Sequence, residues 1–357
     1  MNQHTDRGAP QEPPQPLAER IGQAPEPVLP DHPDVARWRT ATRADLDAIH
    51  GVHAAADAVD HPTWITPREE VADTFELSHI DHARDTIIAF DGDGTAIAFA
   101  SAFLHPAREG TLTVHLGGAV HPDWRRRGIG SRALAWSHSR ALQQLAEALP
   151  TLADRDWEIE LKIYAEESTP DVIAIAAPLG FAVERWFTTM VRDMSEPLPV
   201  PPAVEGTSIV PYSGDRALDV LAARNDAFRD HWGSLPTGEE SWRTFVGGPF
   251  LRPELSRLAL DADGAVIALC LASVNEDDWE ALGATHAYID LIGVVRAHRR
   301  RGLAPKVIAE TLAAIAEAGL EKAVLDVDTE SPTGAHTLYE GLGFTATERS
   351  LALVRHL

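Results

Sequence analysis

One cysteine in 357 residues leaves no partner for an intramolecular disulfide, and Cys270 lies in the apolar run Val266 to Leu271, which reads as a buried strand. Both features suit a reducing compartment, and the expectation is a soluble, cytoplasmic protein. No apolar stretch approaches the roughly 20 residues that a membrane-spanning helix needs. Positive charge is also scarce, with 31 Lys and Arg against 54 Asp and Glu and a net charge of −23. The deficit is spread along the chain, at −4 for residues 1–36, −9 for 37–194 and −10 for 195–357. Such a surface repels nucleic acid and anionic membrane, and it slightly favours a cationic partner. Residues 1–36 contain eight prolines and no basic start followed by a hydrophobic block, so they read as a disordered tail rather than a signal peptide.

The chain is long enough for two ordinary domains, and it repeats itself. The hairpin signal Asp91-Gly92-Asp93-Gly94 returns as Asp261-Ala262-Asp263-Gly264, and Asp60-His61 returns as Asp230-His231, both at an offset of 170. The run Val120-x4-Arg125-Arg126-Arg127-Gly128-Ile129-Gly130 returns 174 residues later as Val294-x4-Arg299-Arg300-Arg301-Gly302-Leu303-Ala304. Leu179-Gly180-Phe181 returns as Leu342-Gly343-Phe344 at an offset of 163. A proline-rich stretch from Ser195 to Pro202 reads as a linker, which gives domains at 37–194 and 207–357 joined by residues 195–206. Each copy orders its elements as strand, helical segment, hairpin, long strand, helix, strand, helix, strand. This is a mixed α/β (α+β) unit.

Arginine, two residues, glycine, one residue, then glycine or alanine, set between a strand and a helix, builds an anion site from backbone. Small residues let the chain close round a ligand, and the first-turn N–H groups of the helix have no internal partner. A single arginine triplet could be a solvated charge run, but two in register with the same glycine and upstream valine argue against that. A dinucleotide fold requires G-x-G-x-x-G, which neither loop contains.

These loops resemble the R/Q-x-x-G-x-G/A signature of the GNAT acetyltransferase superfamily, and Tyr339-Glu340-Gly341-Leu342-Gly343-Phe344 is similar to its late Y-x-x-x-G-F segment. The resemblance implies two tandem GNAT folds, each a mixed, mostly antiparallel sheet flanked by helices, and acetyl-CoA as cofactor. It assigns Ile292, Gly293 and Val294 to the pantetheine arm and Arg299, Arg300, Arg301, Gly302, Leu303 and Ala304 to the pyrophosphate. In the first copy the same places fall to Gly118, Ala119 and Val120, then Arg125, Arg126, Arg127, Gly128, Ile129, Gly130 and Ser131. Pro305 offers no N–H, so the second loop has one donor fewer.

The family's proton donor to the departing thiolate corresponds to Tyr339 in the second copy and to Ala176 in the first. Its base positions on the long strand correspond to Tyr288 and Asp290, against Val114 and Leu116. Asp290, set among Ile289, Leu291 and Ile292, is the better base, because burial raises a carboxylate's pKa. His231, Trp232 and Asp328 are acceptor-contact residues on the same resemblance. The expectation is therefore an N-acetyltransferase acting on a small-molecule amine, catalytic in the second copy and non-catalytic in the first. A protein N-terminal or lysine acetyltransferase and a CoA-binding sensor stand as alternatives. His50/His53 and His79/His82 lack an accompanying ligand set, and Asp91–Gly94 reads as a turn rather than a calcium loop, so no metal is expected.

Overall fold

A computed structural model describes residues 16–22, 24–153, 155–330 and 334–357. Apolar, β-branched runs form its central strands. Residues Thr86–Phe90 are buried throughout, and Val266–Ser273 is buried over all but its last residue, because helices cover both faces of the sheet there. The two Asp-x-Asp-Gly sites are hairpin turns. Asp91 Oδ1 accepts from the Asp93 and Thr95 N–H groups at 3.0 and 2.9 Å, and Asp261 Oδ1 repeats both contacts with Asp263 and Ala265.

The first copy contains β1 (Arg37–Thr40), α2 (Leu46–Asp60), α3 (Arg68–Thr74), α4 (His82–Asp85), β2 (Thr86–Phe90), β3 (Ala96–Leu104), β4 (Thr111–Val120), α5 (Ile129–Ala148), β5 (Glu158–Glu166), α6 (Pro170–Ala176) and β6 (Ala182–Asp193). The second contains β7 (Ser208–Pro211), α7 (Ala217–Ala227), α8 (Glu239–Gly247), β8 (Arg257–Leu260), β9 (Val266–Ser273), α9 (Asp278–Leu282), β10 (His286–Val294), α10 (Leu303–Glu317), β11 (Lys322–Asp328), α11 (Ala335–Gly341) and β12 (Thr345–His356). Helix α1 (Leu17–Ile21) precedes them. Residues 1–15 lie outside the described residues, but the stretch from residue 16 is more ordered than its composition suggested. Ile21 is buried in the first core, and Arg20 donates to the Leu357 carbonyl (2.7 Å) and the Trp157 carbonyl (2.7 Å).

All twelve strands join in one sheet, in the order β1-β2-β3-β4-β5-β12-β6-β11-β10-β9-β8-β7. Neighbours are antiparallel except β4 with β5 and β10 with β11. The repeat therefore separates two copies along the chain but not in space. The last strand of each copy completes the sheet of the other: β6 pairs with β11, β12 pairs with β5, and the two exchanged strands pair with each other. The exchange is two-fold symmetric, since Thr345 faces Val191 as Ala182 faces Val354.

The cores follow the exchange. Leu351 and Leu353 of β12 are fully buried among Leu112, Leu142, Leu145 and Leu161 of the first copy, and Met190 of β6 is buried with Leu312, Ile315 and Leu325 of the second. Buried Arg192 of β6 fastens the crossing, donating to the Leu342 and Pro197 carbonyls, both at 2.8 Å. Leu353→Ala should cost about 2–5 kcal/mol. Although Leu353 belongs to the second copy, hydrogen exchange should show the loss of protection in β5 and α5 of the first; loss centred on α10 would contradict the exchanged packing.

Candidate active site

The parallel strand pairs do not stay paired. β10 matches β11 only from His286–Lys322 to Tyr288–Val324, and β4 matches β5 only from Thr111–Glu158 to His115–Lys162. Beyond those points the strands splay and leave backbone groups facing an open wedge. In β10 a bulge between Ile289 and Leu291 makes Asp290 an extra residue, which bends the strand and turns its side chain toward Ser273. β4 runs without a bulge against β3.

At the mouth of each wedge lies an arginine loop. Gly128 and Gly302 cap α5 and α10 in left-handed conformation, with φ of 86° and 83°. Arg126 and Arg300 are the positive-φ non-glycine residues among those described, at 63° and 62°. Such a conformation costs about 1–2 kcal/mol, so its recurrence at the same place in both copies marks a loop held for its shape. Left-handed residues set into such a turn aim successive N–H groups into one concavity. The helices add theirs: the first backbone bonds back to the caps come from Arg132 and Lys306, so Ile129, Gly130 and Ser131, and Leu303 and Ala304, precede them at the helix start. This cradle fits a pyrophosphate in both copies, with Pro305 removing one donor from the second.

The leading arginines have another task. Arg125 forms a bidentate pair with Asp60 (2.6 and 2.8 Å) and donates to the Val120 carbonyl at 3.0 Å. Arg299 reaches Asp230 (3.1 Å) and the Ala227 carbonyl (2.8 Å). Their guanidinium groups brace the loops against α2 and α7 instead of facing an anion. This explains why Asp60-His61 and Asp230-His231 repeat. Arg126 pairs with Asp171, Arg127 covers the Trp124 ring, and Arg301 meets His298.

Tyr339 and Asp290 lie on opposite faces of the sheet, Tyr339 against Cys270 and Asp290 against Ser273. Tyr339 is 8% exposed and packs with Cys270 and Phe344 on the α10 face; burial, reinforced by the Cys270 thiol, holds its phenol above the ordinary range. It keeps its proton throughout the physiological range. Asp290 lies on the face covered by α7. Ser273 Oγ donates to its Oδ1 at 3.1 Å, its Oδ2 is shielded and has no partner among the described residues, and burial pushes its pKa up to about 7. Tyr288 is a hydrogen-bond donor rather than a base: its hydroxyl gives a 2.8 Å bond to Asp326 Oδ2, and burial beside that carboxylate drives its pKa well above normal.

The register revises the comparison of the two copies. Tyr288 faces Ser273 and Val324 as His115 faces Phe103 and Lys162, so the counterpart of Tyr288 is His115, not Val114, and the bulged Asp290 has none. Asp328 is 4% exposed, with its Oδ1 taken by the Glu330 N–H at 2.9 Å. The carboxylate open to the wedge is Asp326, two residues earlier, which also accepts from Thr189 Oγ1 at 2.6 Å. Ser331, at the position after β11 where the GNAT resemblance calls for asparagine, lies outside the described residues.

Trp232 sits over the first copy, not its own, whereas His231 stays within its own segment, its Nδ1 at 3.1 Å from the Trp232 carbonyl and its ring beside Phe228. The Trp232 Nε1 donates to Glu184 Oε1 (3.0 Å), and its ring lies 4.5 Å from the ammonium of Lys162, a residue 1% exposed. The matching segment of the first copy crosses to the second, where Thr63 Oγ1 bonds Glu348 on β12 and the Ile65 N–H donates to Asp278 Oδ1 at 2.8 Å. Thr63, Asp326 and Glu348 escaped the sequence reading because a crossing of this kind leaves no local signal; the repeated Asp-His pair was its one trace.

Asp290 also sets a pH dependence of stability. Its folded pKa of about 7 lies above the ordinary carboxyl value of about 4, so native stability falls as pH rises between them and the cost is complete above 7. Asp290→Asn escapes that cost. Its melting temperature should match the wild type near pH 4 and exceed it at pH 8; an equal difference at both pH values would mean Asp290 titrates normally.

The profile of the Acetyltransferase (GNAT) family matches residues 53–160 and 217–344, one stretch in each copy. Mycothiol acetyltransferases of Salinispora tropica and Salinispora arenicola are 29% and 31% identical to the chain over 323 and 327 residues, covering 87% and 88% of it and 90% and 91% of their own lengths. Among solved structures, a GCN5-related N-acetyltransferase from Sphaerobacter thermophilus superposes with a TM-score of 0.66 at 23% identity, over 91% of this chain and 97% of that one. A tandem GNAT protein from the clavulanic acid biosynthesis pathway gives 0.64 at 16%, over 90% and 98%. At these identities the two structures bear on the fold alone. With splayed strands, anion loop and family match present in both copies, the chain belongs to the GNAT acetyltransferase family and is an acetyl-CoA-dependent N-acetyltransferase.

Proposed function

We propose that acetyl transfer takes place in the second copy, onto the primary amine of a small molecule, with Asp290 as base and Tyr339 as proton donor. The observation that carries this reading is the pair of buried groups flanking one wedge: a carboxyl with a pKa of about 7 on one face and a phenol that keeps its proton on the other. When bound, acetyl-CoA supplies the thioester carbonyl that the amine attacks. Leu303, Ala304 and the Arg299–Gly302 backbone hold the pyrophosphate, and the free edge of β10 at Ile292, Gly293 and Val294 bonds the pantetheine arm. Asp290 takes the amine's proton, a task for which a pKa near the working pH is best. Tyr339 holds a proton for the sulfur.

The acceptor in the relatives, by their name, is a mycothiol species; deacetylated mycothiol is the first amine to test, alongside other small primary amines. The acidic wedge wall of Asp326 and Glu348 supports a cationic acceptor. The first copy, with its cradle complete but Ala176 in place of Tyr339 and His115 in place of Tyr288, holds the cofactor without moving an acetyl group. Burial pushes the His115 pKa down to about 4, so it is neutral at physiological pH. A single buried cysteine suits the cytoplasm.

Tyr339→Phe should lower turnover by about 10²–10⁴-fold, measured by thiol release, with little change in acetyl-CoA affinity; wild-type turnover would remove Tyr339 from the mechanism. The kcat/KM profile should rise with pH through about 7 as Asp290 loses its proton, and Asp290→Asn should abolish that limb along with most of the activity. Calorimetry should find two acetyl-CoA sites in the wild type and one in Gly302→Val, since a β-branched residue does not tolerate a φ of 83°. The remaining site should bind without supporting turnover, and full activity in that variant would assign catalysis to the first copy.

A further inference from the structure

Each anion loop is joined through its aspartate to a short segment that ends in the other copy's wedge. In the first copy Arg125 grips Asp60 at the end of α2 with two bonds of 2.6 and 2.8 Å. Three residues on, Thr63 Oγ1 lies 3.0 and 2.9 Å from the two carboxylate oxygens of Glu348, and the Ile65 N–H holds Asp278. The bend between them is fixed from inside. Asp57 Oδ2 accepts from the Thr66 N–H at 2.8 Å, its Oδ1 lies 3.2 Å from His61 Nε2, and the His61 ring stacks on Trp64 at 3.7 Å. Glu348 and Asp326 flank the same β6 residue, Thr189, and Asp326 receives the Tyr288 hydroxyl. Polar contacts thus run from the first copy's cradle to Glu348, which shares the β6 residue Thr189 with Asp326, the carboxylate that Tyr288 bonds.

The two-fold-related crossing ends differently. Asp230 braces Arg299, but Trp232 lies over Lys162, in a wedge that lacks a counterpart of Asp290. Of the two crossings, that through Asp60 leads to the chemistry.

We propose that Asp60 and Thr63 are positioning residues for acetyl transfer in the second copy. Through them the acceptor wall at Glu348 is held in place by the cofactor loop of the first, and a pyrophosphate-bearing ligand in the first loop tightens acceptor binding in the second. The proposal rests on the reading that the second copy is catalytic. Its physical basis is the rigidity of a bidentate guanidinium–carboxylate pair: an anion that orders the Arg125–Gly130 backbone also orders Arg125, and with it Asp60 and the five residues up to Ile65. Linkage makes the effect reciprocal, so acceptor must tighten cofactor binding at the first loop by the same factor.

The test uses the full chain with deacetylated mycothiol as acceptor, or, where the wild type does not acetylate it, the small primary amine of highest turnover. Thr63→Val keeps the shape and removes the hydroxyl. It should raise the acceptor KM by about five- to tenfold, with kcat and the acetyl-CoA KM within about twofold, while the melting temperature falls by no more than the few degrees that one lost bond to a charged group allows. Thr63→Ser should restore the wild-type value, and Asp60→Asn should raise the acceptor KM although it lies at the other copy's loop. In Gly302→Val, where no turnover intervenes, saturating acceptor should tighten acetyl-CoA binding at the first loop severalfold by calorimetry. Full turnover in Gly302→Val would overturn the assignment of catalysis to the second copy and this proposal with it. An unchanged acceptor KM in Thr63→Val, in an enzyme that Gly302→Val silences, overturns the positioning role alone, and an acetyl-CoA affinity indifferent to acceptor overturns the coupling.

Discussion

The antiparallel pairing of β6 with β12 at the centre of the sheet is the constraint on which the rest of the molecule depends. Each of these strands leaves its own copy and supplies the missing edge of the other, burying Met190 on one side and Leu351 and Leu353 on the other. Neither copy has a complete core without its neighbour's strand. The exchange also brings the segments after α2 and α7 over the opposite wedge, where Thr63 meets Glu348 and Trp232 meets Lys162.

On this symmetric frame the two copies have parted in chemistry while keeping their backbone. The strained Arg126 and Arg300, the left-handed Gly128 and Gly302 and the Asp–arginine braces recur almost unchanged. What differs is the lining of the wedge. Equivalent register positions hold Tyr288 and His115, Asp326 and Tyr164, Asp328 and Glu166, and the bulge that creates Asp290 exists in one strand alone. The hydrogen bond from Tyr288 to Asp326 becomes a stacking contact of His115 on Tyr164 at 6.1 Å. Glu166, crowded by burial and by Asp326, Glu348 and Asp60, has its pKa pushed up to about 7, which places the first copy's carboxyl within reach of the second copy's acidic wall. The anion site depends on backbone shape, which one fold gives twice; acid–base chemistry depends on single side chains, which drift independently.

The sequence by itself determined the repeat, the family and the paired arginine–glycine loops, and it singled out the tyrosine that is buried in the second copy. Those features are local: a glycine that must turn left, an arginine run between strand and helix, a tyrosine at fixed spacing from Gly-Phe. Only the tertiary structure decided which strand completes which sheet, since a parallel repeat in the chain reads the same whether the last strands stay or exchange. It decided that Arg125 and Arg299 brace the loops, that Trp232 lies over the opposite copy, and that Asp326 rather than Asp328 faces the wedge. It also set the true register of β10, because a bulge moves every residue before it to the other face and period-two counting cannot see one. Contacts between residues distant in the chain carry no signature in either segment, and in this protein they are what bring Thr63 against Glu348 and Trp232 against Lys162.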